Sequence, residues 1–391
     1  MFRHLGLLLA IGFAAAPAAA QEPRWDGFTR AFDAFAAQDS VVGAATILVR
    51  DGRVVQHHER GFADRERGQR VDERTLFHYG SITKTLTAVA IMQLRDRGLL
   101  SLDDTVARWI PELRQVHDPF GSIDAITIRM LLSHSAGFQN PTWPYTEGQP
   151  WEPFEPTRWD QLVAMMPYQE IHFVPGSRFS YSNPAFIYLA RILEQITGDP
   201  YQSYIYKNIW TPLGMTRSYF GATPYHLAAD RSNSYRLVRD SSSGVERLVA
   251  VGRDFDPGIT IPNGGWNAPL ADLATWAAFL TGATRGDTAL ARRFELVLRR
   301  NSLEEMWRAV VPVGGTSPES MGLSFFVRTT RGVRIVGHTG QQAGFRSFLY
   351  LNPATREAVI GVVNTVNDAH DEASGAAWML LVDAAVDVLV P

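Results

Sequence analysis

The amino-acid sequence predicts an α+β fold: an antiparallel sheet built from both chain ends and flanked by helices, with a mainly helical region inserted between those ends. Three observations carry this expectation. Strand patterns concentrate at residues 44–61 and again beyond residue 322, helical periodicity and loops fill the stretch between, and neither an internal repeat nor a low-complexity linker divides the chain. A chain of 391 residues with 46% apolar composition is long enough for one sizeable core. The expected layout is a signal peptide at residues 1–20 and a single domain at 21–391. Its sheet part takes about 21–80 and 310–391, and its helical part about 81–309.

The elements follow in order. "MFRHLGLLLAIGFAAAPAAA" has Arg3 and His4 at its start, an apolar run from Leu5 to Ala16, and small residues at Ala18 and Ala20. This is the pattern of a secretory signal cleaved between Ala20 and Gln21. The run is too short to span a bilayer comfortably, and no other stretch reaches about eighteen apolar residues, so no transmembrane segment is expected after signal removal and the mature chain is expected in the periplasm or the medium. A helix is expected near Trp25–Ala37. Residues 44–61, "AATILVRDGRVVQHHERG", give two strands joined at Asp51-Gly52, a strong hairpin signal. Residues 82–97 follow a helical period, with Ile82, Leu86, Val89, Ala90 and Leu94 on or near one face and Gly98 as the stop. From Gly322, "GLSFFVRTT", "VRIVGHTG", "FRSFLYLN" and "EAVIGVVNT" are four short strands. The final "AAWMLLVDAAVDVLV" is a buried amphipathic helix, because Asp383 and Asp387 recur at helical spacing.

Composition excludes several functions. A formal charge of −3 with scattered basic residues gives no footprint for nucleic acid. The absence of cysteine removes disulfides, thiol nucleophiles and Cys-type zinc sites, leaving Ser, Thr, Lys or a carboxylate as a covalent nucleophile. His57 and His58 fall on one strand and point to opposite faces, so they cannot clamp one metal together. There is no Gly-x-Ser-x-Gly elbow, no His-Glu-x-x-His helix and no Gly-x-x-x-x-Gly-Lys phosphate loop. No cofactor is expected.

The chemistry starts at "HYGSITKTLTAV", His78 to Val89. Every basic residue is arginine except Lys84 and Lys207, and Lys84 lies three residues after Ser81, on the same helical face. A serine hydroxyl is a poor nucleophile until a neighbour takes its proton. A desolvated lysine can do that, and an arginine, always protonated, cannot. A surface lysine is the plain alternative. In "GSRFSYSNPAFIYLARILEQITG", Asn183 caps a helix, Pro184 takes its first position and Gly198 ends it, leaving Tyr181 and Ser182 on the loop that enters it. His338-Thr339-Gly340 ends a strand before a Gly-containing bend and, taken alone, is a turn.

Together and in this order, Ser81-Ile82-Thr83-Lys84, Tyr181-Ser182-Asn183 and His338-Thr339-Gly340 resemble the active-site motifs of the serine β-lactamase and penicillin-binding-protein superfamily. The tyrosine form of the middle motif is similar to the branch of class C β-lactamases, D-alanyl-D-alanine carboxypeptidases and family VIII esterases. So are "ITIRMLLSHSAGF", Ile126 to Phe138, and Gly344-Phe345 after the strand motif. The resemblance implies Ser81 as the acylated nucleophile and Lys84 and Tyr181 as the acid/base candidates. It implies Asn183 as an orienting group, and an oxyanion hole from the backbone N–H groups of Ser81 and Gln341, with His338, Thr339 and Gly340 beside the substrate.

The departure is His338, where many members have lysine. A histidine of ordinary pKa is mostly neutral at pH 7 and selects a substrate carboxylate less. The expectation is that preference for a carboxylate-bearing substrate falls as pH rises through the histidine pKa. Arg346 is expected to be an ordinary exposed strand arginine, with restoration of an anion site as the alternative. The Pro- and aromatic-rich stretch Asn140–Trp159 either walls the cleft or packs under a long loop. In "PNGGWNAPLADLATWAAFL", Asn267 is expected to cap the helix that follows. The function expected is an exported serine hydrolase acting on a small-molecule or peptide substrate, as an esterase or D-amino-acid peptidase. A β-lactamase or D-Ala-D-Ala carboxypeptidase is the alternative, and a non-catalytic peptidoglycan-peptide binder a further one.

Overall fold

A computed structural model describes residues 22–139 and 156–391. The expected signal peptide, and the aromatic stretch up to residue 155, lie outside the described residues. Helix α1 (Glu22–Gln38) leads into the hairpin of β1 (Gly43–Arg50) and β2 (Arg53–Asp64). Asp51 and Gly52 both have positive φ, 44° and 72°, the twist that lets a two-residue loop close a hairpin. Two short strands, β3 (Gln69–Arg70) and β4 (Leu76–His78), precede α2 (Thr83–Asp96). Then come α3 (Ile128–Leu132), α4 (Pro184–Thr197), β5 (Tyr219–Phe220), β6 (Ser234–Arg239), β7 (Glu246–Gly252), β8 (Trp266–Pro269) and α5 (Leu270–Thr281). The C-terminal part holds β9 (Val311–Pro312), β10 (Ser320–Met321), β11 (Phe326–Thr330), β12 (Val333–Gln342), β13 (Phe345–Asn352), β14 (Glu357–Val363), β15 (Thr365–Asn367) and α6 (Asp371–Val388).

Nine strands form one antiparallel sheet in the order β3-β2-β1-β14-β13-β12-β11-β10-β9. The chain ends meet at β1 and β14, paired from Ala44 with Val363 to Arg50 with Glu357. Alternate residues serve two cores. Ala44, Leu48, Phe348, Tyr350, Val359 and Val363 pack with Phe28 and Phe32 of α1 and Trp378 and Val382 of α6. Ala45, Ile47, Leu349, Leu351, Ile360 and Val362 face the opposite way, against α2, α5 and the inserted region. Both faces are covered, so β13 and β14 are buried along their whole length and carry near-continuous apolar runs.

Two features add to the sequence expectation. The inserted region is mainly helical and also holds short strands: β8 and β5 join β4 in a β4-β8-β5 sheet, and the β6-β7 hairpin pairs with β15 in a second three-stranded sheet. Strands of two to four residues are too short to show a period, and β7 is mostly exposed and so carries no apolar alternation. Helix α2 is not amphipathic. It is buried on every side from Thr83 to Leu94, because other helices of the inserted region surround it. Polar side chains on it bond across the core: Thr87 Oγ1 donates to the Pro262 carbonyl at 2.6 Å, and Gln93 Nε2 to the Val297 carbonyl at 2.6 Å.

Candidate active site

Three segments converge where α2 begins. The Tyr79-Gly80-Ser81 turn lies flat against β12, and only glycine fits at position 340, where a Cβ would stand 2.0 Å from the Tyr79 carbonyl oxygen. Ser347 on β13 donates to the same carbonyl at 2.9 Å. Gly80 has φ 50° and forms a bridge with Gly265, and a Cβ there would sit 2.8 Å from the Gln341 nitrogen. The serine turn and the end of β12 are thus held in contact.

Lys84 is fully buried on the first turn of α2. Its Nζ lies 2.9 Å from Ser81 Oγ, 2.8 Å from Asn183 Oδ1 and 2.8 Å from the Asn263 carbonyl oxygen. No carboxylate is among these partners. Burial alone therefore holds its pKa well below the ordinary lysine value. A neutral amine fits the geometry: two N–H bonds donate to the two carbonyl oxygens, and the lone pair accepts the Ser81 O–H. The faces of Tyr181 and Phe186, 4.9 and 5.6 Å from Nζ, offset part of the desolvation.

Burial pushes the Tyr181 phenol above its ordinary value, outweighing the nearby Ser81 hydroxyl, which acts in the lowering direction. Burial therefore acts in opposite senses on the two groups: it keeps the proton on the phenol and favours loss of the extra proton from the lysine.

Asn183 departs from expectation in an informative way. It is the first residue with helical backbone angles and makes no capping bond. Ser182 caps instead, its Oγ accepting from the Ala185 N–H at 3.4 Å. Moving the cap back one residue frees the Asn183 carboxamide to face Lys84, and Asn263 Nδ2 donates to the same Oδ1 at 3.3 Å. Asn267 also fails to cap. It sits on β8 with Oδ1 2.9 Å from His78 Nδ1, and α5 starts after Pro269 without a side-chain cap.

On β12, Thr339 is partly buried, Gly340 buried and Gln341 exposed. Ala343 and Gly344, with φ 49° and 84°, close a two-residue hairpin in which Gln342 faces Phe345. In such a hairpin the closing pair exchanges hydrogen bonds, so the next pair, Gln341 and Arg346, turns its backbone outward. The Gln341 N–H therefore points away from β13 toward the Gly80-Ser81 turn. Ser81 lies two residues before the start of α2, so its N–H has no intrahelical acceptor. The two N–H groups suit an anionic oxygen placed between them.

His338 is 1% exposed and neutral: burial, helped by nearby Lys84, lowers its pKa to about 3. Its Nδ1 donates to the Thr339 carbonyl, which leaves Nε2 as an acceptor with no partner among the described residues. The expectation of an ordinary histidine pKa is thus corrected, because this imidazole has no carboxylate beside it to repay its desolvation. Arg346 is corrected too. It is 3% exposed, with Nε donating to Gln341 Oε1 at 2.9 Å, Nη1 to Ser374 Oγ at 2.6 Å and Nη2 to Asp371 Oδ1 at 3.4 Å, and with buried Asp39 at 4.0 Å. The N-terminal end of α6 covers this face of β13, and the arginine is consumed in holding it.

Two participants escaped the sequence analysis. Asn263 contributes its carbonyl through the Pro262-Asn263-Gly264-Gly265 turn, where no pattern of residue types marks it. His134, in the quoted Ser-His-Ser segment, stacks on Tyr181 with ring centroids 4.2 Å apart. His57 and His58 take separate partners, Glu59 at 3.1 Å and Asp33 at 3.0 Å.

Esterase EstB of Burkholderia gladioli is 31% identical over 256 residues, 60% of this chain and 64% of EstB, so the match spans less than two thirds of that relative's length. The octameric penicillin-binding protein homologue from Pyrococcus abyssi is 26% identical with a TM-score of 0.72, covering 92% of this chain and 77% of that one. The D-amino acid amidase from Ochrobactrum anthropi SV3 shares the fold at 20% identity, with a TM-score of 0.73 over 93% of this chain and 98% of the other. The Beta-lactamase family model matches residues 28–384, nearly the whole described chain, and this protein belongs to the Beta-lactamase family of hydrolases.

Proposed function

We propose that this protein is an exported serine hydrolase that cleaves a neutral ester or amide through an acyl-Ser81 intermediate, as an esterase or D-amino-acid peptidase. The observation that carries this is Lys84: a buried amine 2.9 Å from Ser81 Oγ, with neutral oxygens as its other partners. Lys84 takes the Ser81 proton as Oγ attacks the acyl carbon. The oxygen anion of the tetrahedral intermediate rests between the Ser81 and Gln341 N–H groups. Tyr181, as a neutral phenol, donates its proton to the departing alkoxide or amine and is reprotonated from Lys84. Water then attacks the acyl group, passes its proton back along the same path, and releases the acid and Ser81.

The substrate preference rests on charge. His338 is neutral and Arg346 is turned away and occupied, so neither supplies a fixed cation for a substrate carboxylate. The esterase name of the 31% identical relative supports the same choice. Export rests on residues 1–20, and a periplasmic or secreted product beginning at Gln21 is the expected outcome of N-terminal sequencing.

The test is the intact mass of the protein after mixing with a fluorophosphonate, a p-nitrophenyl ester, nitrocefin and a D-Ala-D-Ala peptide. A Ser81 adduct with the ester that forms and decays supports turnover, and a lasting adduct marks a binder. No adduct with any reagent, in wild type as in Ser81→Ala, overturns the mechanism.

A further inference from the structure

The site contains a residue to which neither the motifs nor the mechanism above give work. His134 follows α3 in a left-handed conformation, φ 53°, which is strained for a non-glycine residue. From there it grips the middle motif at three points. Its carbonyl accepts from the Ser180 N–H at 2.8 Å, and its Nδ1 accepts from the Ser182 N–H at 3.0 Å. Its ring lies on the Tyr181 ring at 4.2 Å and 23°, with Phe186 behind it at 5.1 Å. Tyr181 is thus bracketed in sequence by two residues that one histidine holds.

We propose that His134 is the positioning residue for the Tyr181-Ser182-Asn183 segment: its carbonyl and its acceptor nitrogen fix the backbone before and after Tyr181, and its ring fixes the phenol over Ser81 and keeps Lys84 dry. This rests on the reading of Ser81, Lys84 and Tyr181 as the acylation machinery.

The physical reason for histidine is that the position asks for two things at once. A flat ring is needed against Tyr181, and an acceptor at ring distance is needed for the Ser182 N–H; neutral imidazole offers both. The groups facing it agree with a neutral form. They are Lys84 on α2, His338 on β12, Tyr181 itself, and the apolar rings of Phe179 and Phe186, with no carboxylate among them. Burial and the two basic neighbours lower the His134 pKa well below the ordinary value. With Nδ1 accepting, the proton sits on Nε2.

Two substitutions separate the ring from the acceptor. His134→Asn keeps an acceptor oxygen and tolerates positive φ, but removes the ring and admits water beside Lys84. His134→Phe keeps a ring and removes the acceptor. For a p-nitrophenyl ester, the expected result for His134→Asn is kcat lower by about ten-fold or more with KM within about two-fold, because misplacement costs the chemical step more than binding. Its acid limb in kcat/KM is expected to move to higher pH, since a wetter Lys84 holds its proton longer. His134→Phe is expected to lose kcat with the limb in place. Thermal midpoints and Ser81 labelling are recorded for each variant, and His134→Phe carries the test if His134→Asn does not fold.

If wild type labels at Ser81 and both folded variants keep wild-type kcat and acid limb, the positioning role is overturned while the reading of the site stands. Equal losses of kcat and thermal midpoint, with an unmoved limb in both variants, mark a purely structural histidine and also overturn it. If wild type forms no Ser81 adduct, both readings fall together.

Discussion

Two buried cations flank the β12-β13 pair, and their surroundings are opposite. Arg346, on the α6 side, meets Asp39 and Asp371, so its burial is compensated by charge and the group stays ionised. Lys84, on the α2 side, meets a hydroxyl and two carbonyl oxygens, which satisfy its hydrogen bonds without repaying its charge. The first arrangement makes a cation into a structural clamp. The second drives a cation to give up its proton, which is the condition for a base. Carboxylate partners decide between the two, and depth of burial does not.

The strongest test of this contrast exchanges the side chains. Lys84→Arg places a permanently protonated group beside Ser81 and is expected to lower kcat/KM by about 10³-fold or more. Arg346→Lys keeps a charge beside Asp39 and is expected to keep kcat/KM within about ten-fold. Steady-state kinetics on a p-nitrophenyl ester measure both. Comparable losses would show that Arg346 belongs to the chemistry as well.

A subtler change turns one pocket into the other. Asn183→Asp sets a carboxylate at the 2.8 Å contact with Lys84. An opposite charge at that distance raises a pKa by about 1–3 units. Since Lys84 must be neutral to accept the Ser81 proton, activity rises with pH through its pKa. Raising that pKa moves the acid limb of kcat/KM upward by the same amount, so the variant is slow at pH 7 and recovers toward alkaline pH. A limb that stays in place would remove Lys84 as the group behind it.

Much of this was legible in the sequence because it is local. The Ser81-Lys84 spacing follows from helix geometry, and the Asp51-Gly52 hairpin from turn chemistry. The Asn183 cap failed by one residue, because a serine beside an asparagine leaves two equally good caps and only the contact with Lys84, 99 residues away in the chain, chooses. Arg346 read as an exposed strand arginine because nothing local marks its burial, and the cover on that face of β13 comes from α6, a separate element. His134 had no local signal at all, since its strain and its stack on Tyr181 exist only after α3 and the start of α4 meet.

The contrast also has a stability side. Arg346→Met leaves Asp39 buried with Ser374 as its remaining hydrogen-bond partner, and removing one member of a buried pair costs about 3–5 kcal/mol. Lys84→Met removes a group whose desolvation already opposes folding, while it takes a donor from the Asn263 carbonyl and leaves Asn183 Oδ1 with the 3.3 Å bond from Asn263 Nδ2. These effects offset, and the net change is expected to be smaller by about 2 kcal/mol or more than for Arg346→Met. Urea unfolding at pH 7 compares the two directly.

The smallest expected effect concerns His338. Were it to titrate near the ordinary histidine value, the rate on a carboxylate-bearing ester relative to a matched neutral ester would fall between pH 5 and 8, as the imidazolium lost its proton. With its pKa lowered to about 3, the ring is neutral throughout that range. The ratio is therefore expected to be flat there and to rise only below about pH 4, where imidazolium begins to form. His338→Lys supplies the missing cation, since the added charge points toward the Ser81 site rather than into the Asp39 cluster. It is expected to raise the ratio at pH 7 without requiring acid. A ratio that falls through pH 6 in wild type would mean that substrate or water reaches Nε2 and restores the ordinary pKa, and the neutral-substrate preference would then hold only above that pH.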